Sequence, residues 1–225
     1  MICYLEIEAS LQLYKGMGAL LLAMRLDAPK TENPWLILKP VGPPDLPFDD
    51  AYLARVRSAG SVDAMWRWLP RISGGGSSFE AYYAHIGKLT KQGKFSPMAA
   101  FRKSDDAFIG GASFLRASRT HRSVEIGFIW LMEGSQDWAC FAALQHVMLK
   151  SAVVARAKRV VWNVATENVA MCRAMDRLGV KQEGVLRAAV RMNDGSWSDR
   201  AIYALVQDEI SEMIDYLDTE LEQFF

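Results

Sequence analysis

The chain is poor in the residues that mark several common protein classes. Its three cysteines, Cys3, Cys140 and Cys172, are odd in number and fall at no metal-ligand spacing. That excludes a disulfide scaffold and a cysteine-built zinc module, and it fits a reduced, cytoplasmic setting. The three histidines, His85, His121 and His146, are scattered, and none sits in a catalytic pattern. Neither sign of charge dominates, because 26 Lys and Arg are matched by 26 Asp and Glu. A general nucleic-acid binder draws its affinity from neutralising phosphates and needs a basic excess. No run approaches the roughly 20 apolar residues of a membrane span. Residues 17–24 (MGALLLAM) are apolar but few, and Glu6, Glu8 and Lys15 precede them instead of a basic head. They read as a packed or partner-facing helix, ahead of a secretion signal. Internal repeats and heptads are absent too.

Apolar residues make up 51% of the 225-residue chain, enough for a substantial single core. Residues 1–33 read as an extension ending in a turn-rich linker, with the main domain spanning 34–225. A first strand is expected at 35–41, stopped by Gly42, Pro43 and Pro44. Helical segments follow at 45–57, 62–69 and 79–89, the last two carrying Trp66, Trp68, Tyr82 and Tyr83. The loop 73–78 (SGGGSS) lacks a following Lys-Ser or Lys-Thr pair, so a tether is favoured over a phosphate cradle. Strands at 97–103 and 107–116 flank Ser104, Asp105 and Asp106, a hairpin turn by composition.

Residues 122–205 organise the rest. A strand at 123–132 (SVEIGFIWLM) carries one acid, Glu125, and one glycine, Gly127, which signals a bulge or a close backbone approach. It breaks at Glu133, Gly134 and Ser135, and a helix is expected over 137–155. Such a strand-to-helix turn presents unpaired N–H groups to whatever lies against it. A strand at 158–165 then leads to a helix at 166–178 closed by Gly179. Strands at 183–192 and 197–206 flank Asn193, Asp194 and Gly195, the strongest hairpin signal in the chain. A helix occupies 207–225.

Five blocks in this order, IGGASFL, RSVEIGFIWL, KRVVWNVATEN, AMDRLGVKQEGVLR and NDGSWSDRAIYAL, resemble the GNAT superfamily of acyl-CoA N-acyltransferases. WRWLP at 66–70 adds a likeness to its RimJ/RimL-type ribosomal-protein N-terminal acetyltransferases. The resemblance implies an α/β (α+β) fold: a mixed, mostly antiparallel sheet splayed at its centre, with helices on both faces. It implies an acetyl-CoA-dependent transfer to a primary amine, a protein N-terminus or a small amine, by direct attack in a ternary complex. Backbone at Ile129, Trp130 and Leu131 would pair with the pantetheine arm, and the N–H of Ile129 would hold the oxyanion. The turn and helix start at Gln136, Asp137, Trp138, Ala139, Cys140 and Phe141 would take the pyrophosphate, and Asn168 would help hold the cofactor. Neither nucleic acid nor membrane is an expected partner, whereas a homodimer through the apolar faces of 17–24 and of the last helix is admissible.

Several of these residues have two readings. The family's phosphate loop is written Gln or Arg, two variable residues, Gly, one variable residue, then Gly or Ala. Here Gln136 is kept, Ala139 replaces the central glycine, Phe141 ends the pattern, and Asp137 either adds an anion or caps the helix. Glu125 matches the family's general base, or is a surface acid paired with Arg122 or Arg187. Cys172 is a proton donor to the leaving thiolate, or a small buried hydrophobe. Tyr203 is a candidate acid, or core. A module that keeps the fold but has lost acetyl transfer, working as a binding partner, is the alternative function, and a bulkier acyl-CoA is a third.

Overall fold

A computed structural model describes residues 32–40, 68, 89–90, 92, 94–192 and 194–224. Residues 1–31 of the expected extension over 1–33, the helix over 45–57, most of those over 62–69 and 79–89, and the glycine loop lie outside the described residues. The described elements are β1 (Leu36–Pro40), β2 (Phe95–Arg102), β3 (Phe108–Ser118), β4 (Ser123–Leu131), α1 (Trp138–Val154), β5 (Arg159–Ala165), α2 (Val169–Leu178), β6 (Lys181–Arg191), β7 (Trp197–Val206) and α3 (Asp208–Leu221). The strands form a mixed sheet in the order β1-β2-β3-β4-β5-β7-β6. Every neighbouring pair is antiparallel except β4 and β5. That parallel pair requires a crossover, which α1 supplies.

Local sequence explains the element ends. Asp137 caps α1, its side chain accepting the N–H of Cys140, and Asn168 caps α2 by accepting that of Met171. Gly179 ends α2 in the left-handed conformation. Gly110 has φ +145°, and a Cβ there would lie 2.2 Å from the Trp130 carbonyl oxygen, so β3 and β4 close only over glycine. The bulge expected at Gly127 falls one residue later. Ser113 pairs with Gly127 and Gly111 with Trp130, so Phe128 and Ile129 oppose the single residue Ala112. Phe128 takes φ +50° to make that step. A second bulge, unannounced by composition, sets Arg187, Ala188 and Ala189 against Asp199, whose carboxylate accepts the Ala188 N–H at 2.7 Å.

The core lies between the sheet and α1, which buries Phe141, Leu144, Val147, Met148 and Leu149 against β-strand residues including Phe114, Ile126, Val160 and Trp162. Trp162 donates its indole N–H to Gln145 Oε1 at 3.0 Å, so the one polar atom of that ring is satisfied inside the core. Trp138 joins all three described helices: its indole N–H donates to Glu220 of α3 at 3.1 Å, and the Arg177 guanidinium of α2 lies 4.0 Å from its ring centroid. His146, fully buried on α1, receives the Asn33 amide at Nδ1 and faces Asp218 with Nε2 at 2.9 Å. Nδ1 is therefore the acceptor and Nε2 carries the proton, an assignment made from the hydrogen-bond network. Burial pushes this imidazole below its ordinary pKa.

Candidate active site

The parallel contact between β4 and β5 is short. It runs through Ser123–Arg159, Val124–Val160 and Glu125–Val161, and stops there. The twist that neighbouring strands carry then drives them apart, and the bulge at Phe128 and Ile129 adds to it. Beyond Glu125 the β5-facing edge of β4 carries backbone groups with no ladder partner on β5. A cleft opens in this gap, lined by Arg116, Glu125, Phe128, Ile129, Asn163, Asn168, Met171 and Arg200, with Trp68 at its border.

Glu125 sits on the last paired rung. It is 13% exposed in its side chain and accepts from Arg116 Nη1 at 2.5 Å. The surface-acid reading is thereby corrected: neither Arg122 nor Arg187 is the partner, since Arg122 Nε donates to the Arg156 carbonyl. Burial raises the Glu125 pKa above the ordinary carboxylate value, while the charges of Arg116 and Arg200 and the Arg116 hydrogen bond oppose that rise. A carboxylate held partly dry at the mouth of a cleft accepts a proton more readily than one in water.

At the start of α1 the first-turn N–H groups are divided between the chain's own acceptors and none. Phe141 N–H already serves the first turn by donating to the Asp137 carbonyl, and Cys140 N–H donates to Asp137 Oδ1 at 2.7 Å. Trp138 and Ala139 occupy the first two helical positions, whose N–H groups have no intrahelical acceptor. Two donors thus remain for an anion, and the third is held by the chain's own carboxylate. Of the two readings of Asp137, the cap is the one found, and its charge stays at the helix start. Gln136 turns back, Nε2 donating to the Leu131 carbonyl at 3.1 Å, and ties the turn to the end of β4. The Cys140 and Phe141 side chains are buried in the core, and Trp138 packs toward α2 and α3, so these three present only backbone to the turn. Trp130 packs edge-on against Phe108.

Two candidates stand elsewhere. Tyr203 is 2% exposed and belongs to the core cluster, and burial with Cys172 and Asp176 nearby pushes its pKa up to about 12. Cys172 is half-buried, its thiol 3.7 Å from the Ala165 carbonyl oxygen. Neither lines the cleft, whereas Met171, one residue earlier, does. Two residues that sequence reasoning missed do line it, Arg116 and Arg200. Arg200 had a signal: it is a lone cation within the strand RAIYALV, and period-2 alternation places it with Ile202 and Ala204 on one face.

Residues 36–181 match the family described as the acetyltransferase (GNAT) domain. The chain belongs to the GNAT acetyltransferase family. No curated protein matches it. Among solved structures, a GCN5-related N-acetyltransferase from Brucella melitensis is 18% identical with a TM-score of 0.70, over 84% of this chain and 84% of that one. A spermidine N-acetyltransferase from Vibrio cholerae, in complex with CoA and spermine, is 16% identical with a TM-score of 0.63, over 80% and 99%. Mycobacterium smegmatis RimJ in complex with CoA-disulfide is 20% identical with a TM-score of 0.62, over 80% and 88%. At these identities the likeness carries the fold. As a GNAT acetyltransferase the chain is an enzyme of acetyl transfer, and among its described residues no helix is long and apolar enough to cross a membrane.

Proposed function

We propose that this GNAT chain is an acetyl-CoA-dependent N-acetyltransferase of primary amines, of the RimJ/RimL-like kind, working by direct attack in a ternary complex. The observation that carries the reading is the gap beyond the Glu125–Val161 rung, where a partly buried carboxylate, a strand bulge and the Asn168 cap of α2 meet one cleft. RimJ and a ribosomal-protein-S5-alanine acetyltransferase among the structural neighbours support the subgroup.

Acetyl-CoA supplies the activated acyl group. The open edge of β4 at Ile129, Trp130 and Leu131 pairs with the pantetheine amides as an added strand does. The start of α1 holds the pyrophosphate with backbone N–H groups and the positive end of the helix dipole. Asn168, with its Oδ1 engaged in capping α2, keeps its amide for the cofactor side of the cleft. Glu125 accepts the proton of the acceptor ammonium, directly or through water, and frees the nitrogen lone pair. The C–N bond forms as the C–S bond breaks, the nitrogen gives its second proton to water, and the Ile129 N–H stabilises the carbonyl oxygen as it gains charge. CoA leaves as a thiolate and takes its proton from water, because Tyr203 and Cys172 do not line the cleft. Water-supplied protonation is enough for a thiol, whose conjugate base is already a good leaving group.

Calorimetric titration with acetyl-CoA tests the reading. Micromolar binding supports it, and turnover with an amine panel then depends on Glu125. No heat of binding, with the protein folded, favours an interaction module that has kept the fold alone.

A further inference from the structure

Arg200 is the most unusual side chain of the cleft. It is 4% exposed, its Nε has no hydrogen-bond partner among the described residues, and its one polar contact there is a weak one, Nη2 to the Met192 thioether at 3.1 Å. A buried guanidinium without a carboxylate in hydrogen-bond reach is costly, since desolvation removes water without replacing it. The nearby carboxylates are otherwise engaged. Glu125 binds Arg116, and Glu167 accepts from Ser198 Oγ at 2.9 Å. Burial accordingly pulls the Arg200 pKa down, with those two acids acting against it from a distance.

Register shows where the group points. Arg200 pairs with Ala165, Ile202 with Asn163 and Ala204 with Val161 on β5, and Val161 pairs with Glu125 on β4. Paired residues share a face, so Arg200 and Glu125 rise from the same side of the sheet on opposite banks of the gap. Both line one cleft. Across it stand a proton acceptor suited to an amine and a fork of donors, without a carboxylate partner among the described residues, suited to a planar oxyanion.

We propose that the acceptor is a small amine that also bears a carboxylate, its carboxylate held by Arg200 while its amine faces Glu125. This rests on the N-acetyltransferase reading and narrows it to the amino-acid class. Among the described residues three charged side chains line the cleft, Arg116, Arg200 and Glu125, and their sum is cationic, which disfavours polyamines. Neutral amines leave Arg200 buried without a carboxylate among the described residues, which is the loss that separates them from a carboxylate-bearing partner.

The test measures thiol release from acetyl-CoA with the L-amino acids, their carboxamides, spermidine and short peptides with acidic second residues. The expected result is at least one amino acid used about 100-fold better than its own amide, by kcat/KM, as loss of a charge-assisted hydrogen bond dictates. Arg200→Gln should erase that preference, chiefly through a raised KM for the amino acid. Arg200→Lys, which keeps the charge and guards against a folding defect, should restore part of it. Equal use of acid and amide, or a preference for spermidine or for the peptides, overturns the inference and leaves the acetyltransferase reading standing. So does acetyl-CoA binding with no amine used. If acetyl-CoA itself does not bind, the acetyltransferase reading falls, and the site is judged by thermal shift with the amino acids alone. Stabilisation of the wild type that is absent in Arg200→Gln then supports a carboxylate site, and its absence refutes one.

Discussion

Asp137→Gly should tighten acetyl-CoA binding while leaving the fold nearly as stable. In the native chain the Asp137 carboxylate accepts the Cys140 N–H at 2.7 Å and places a negative charge where a pyrophosphate is proposed to sit. Removing it returns one backbone donor to the phosphate, worth about 1.5–3 kcal/mol when the acceptor is charged. It also removes a like charge, whose repulsion at about 5 Å is roughly 1 kcal/mol in a water-like dielectric. Part of this is lost to water competing for the freed N–H, so we take about 2 kcal/mol, or about 30-fold in Kd. Glycine is itself a fair N-cap, and the helix should lose only a few tenths of a kcal/mol, against about 1 kcal/mol for alanine. Titration calorimetry with acetyl-CoA and urea unfolding measure the two effects separately. Asp137→Asn keeps a cap while removing the charge, and should gain only the smaller, electrostatic part. Unchanged or weaker binding by Asp137→Gly, at unchanged stability, would refute the placement of the phosphate at this helix start.

Other expectations follow from the same geometry. Glu125→Gln should cut kcat/KM by about 100-fold or more, as loss of a general base does. Because the Glu125 pKa is raised, the rate should fall on the acid side at a pH above the ordinary carboxylate value. Arg116→Met removes a charge and a hydrogen bond that hold that pKa down, so the acid limb should move to higher pH, and a limb that stays put counts against Glu125 as the base. His146 has a native pKa below its unfolded value of about 6.5. Its share of stability is complete above that pH and is lost as pH falls through the lower native value, because the unfolded chain takes the proton first. Melting curves at pH 7 and pH 5 should show a larger drop for the wild type than for His146→Gln. Gly110→Ala should cost about 3 kcal/mol in urea, through a strained φ and a contact with the Trp130 carbonyl.

Periodicity and turn chemistry made most of the framework legible. Asp137 and Asn168 stand where helices begin, Gly179 where one ends, and Gly195 takes φ +90° in the last hairpin. These are local signals, and local hydrogen bonds obey them. The site was less legible because it is made by non-local pairing. Gly127 announced an irregularity, yet the extra residue entered at Phe128, whose side chain packs edge-on against Phe95 at 4.9 Å between centroids. No composition rule marks phenylalanine for φ +50°. Glu125 could be recognised by its place in the motif, but its partner could not, since Arg116 reaches it across the β3–β4 ladder. Arg200 was readable as an arginine on an apolar strand. What made it informative, the lack of a carboxylate partner among the described residues, depends on where Glu125, Glu167 and Met192 come to rest.

The central claim is that acetyl-CoA occupies the gap between β4 and β5 and rests on the start of α1. Amide hydrogen exchange with and without acetyl-CoA tests it most directly. Slowed exchange confined to residues 126–131 and to Trp138 and Ala139 is the predicted result. Binding without slowing there, or slowing along another edge such as β6, would contradict the account.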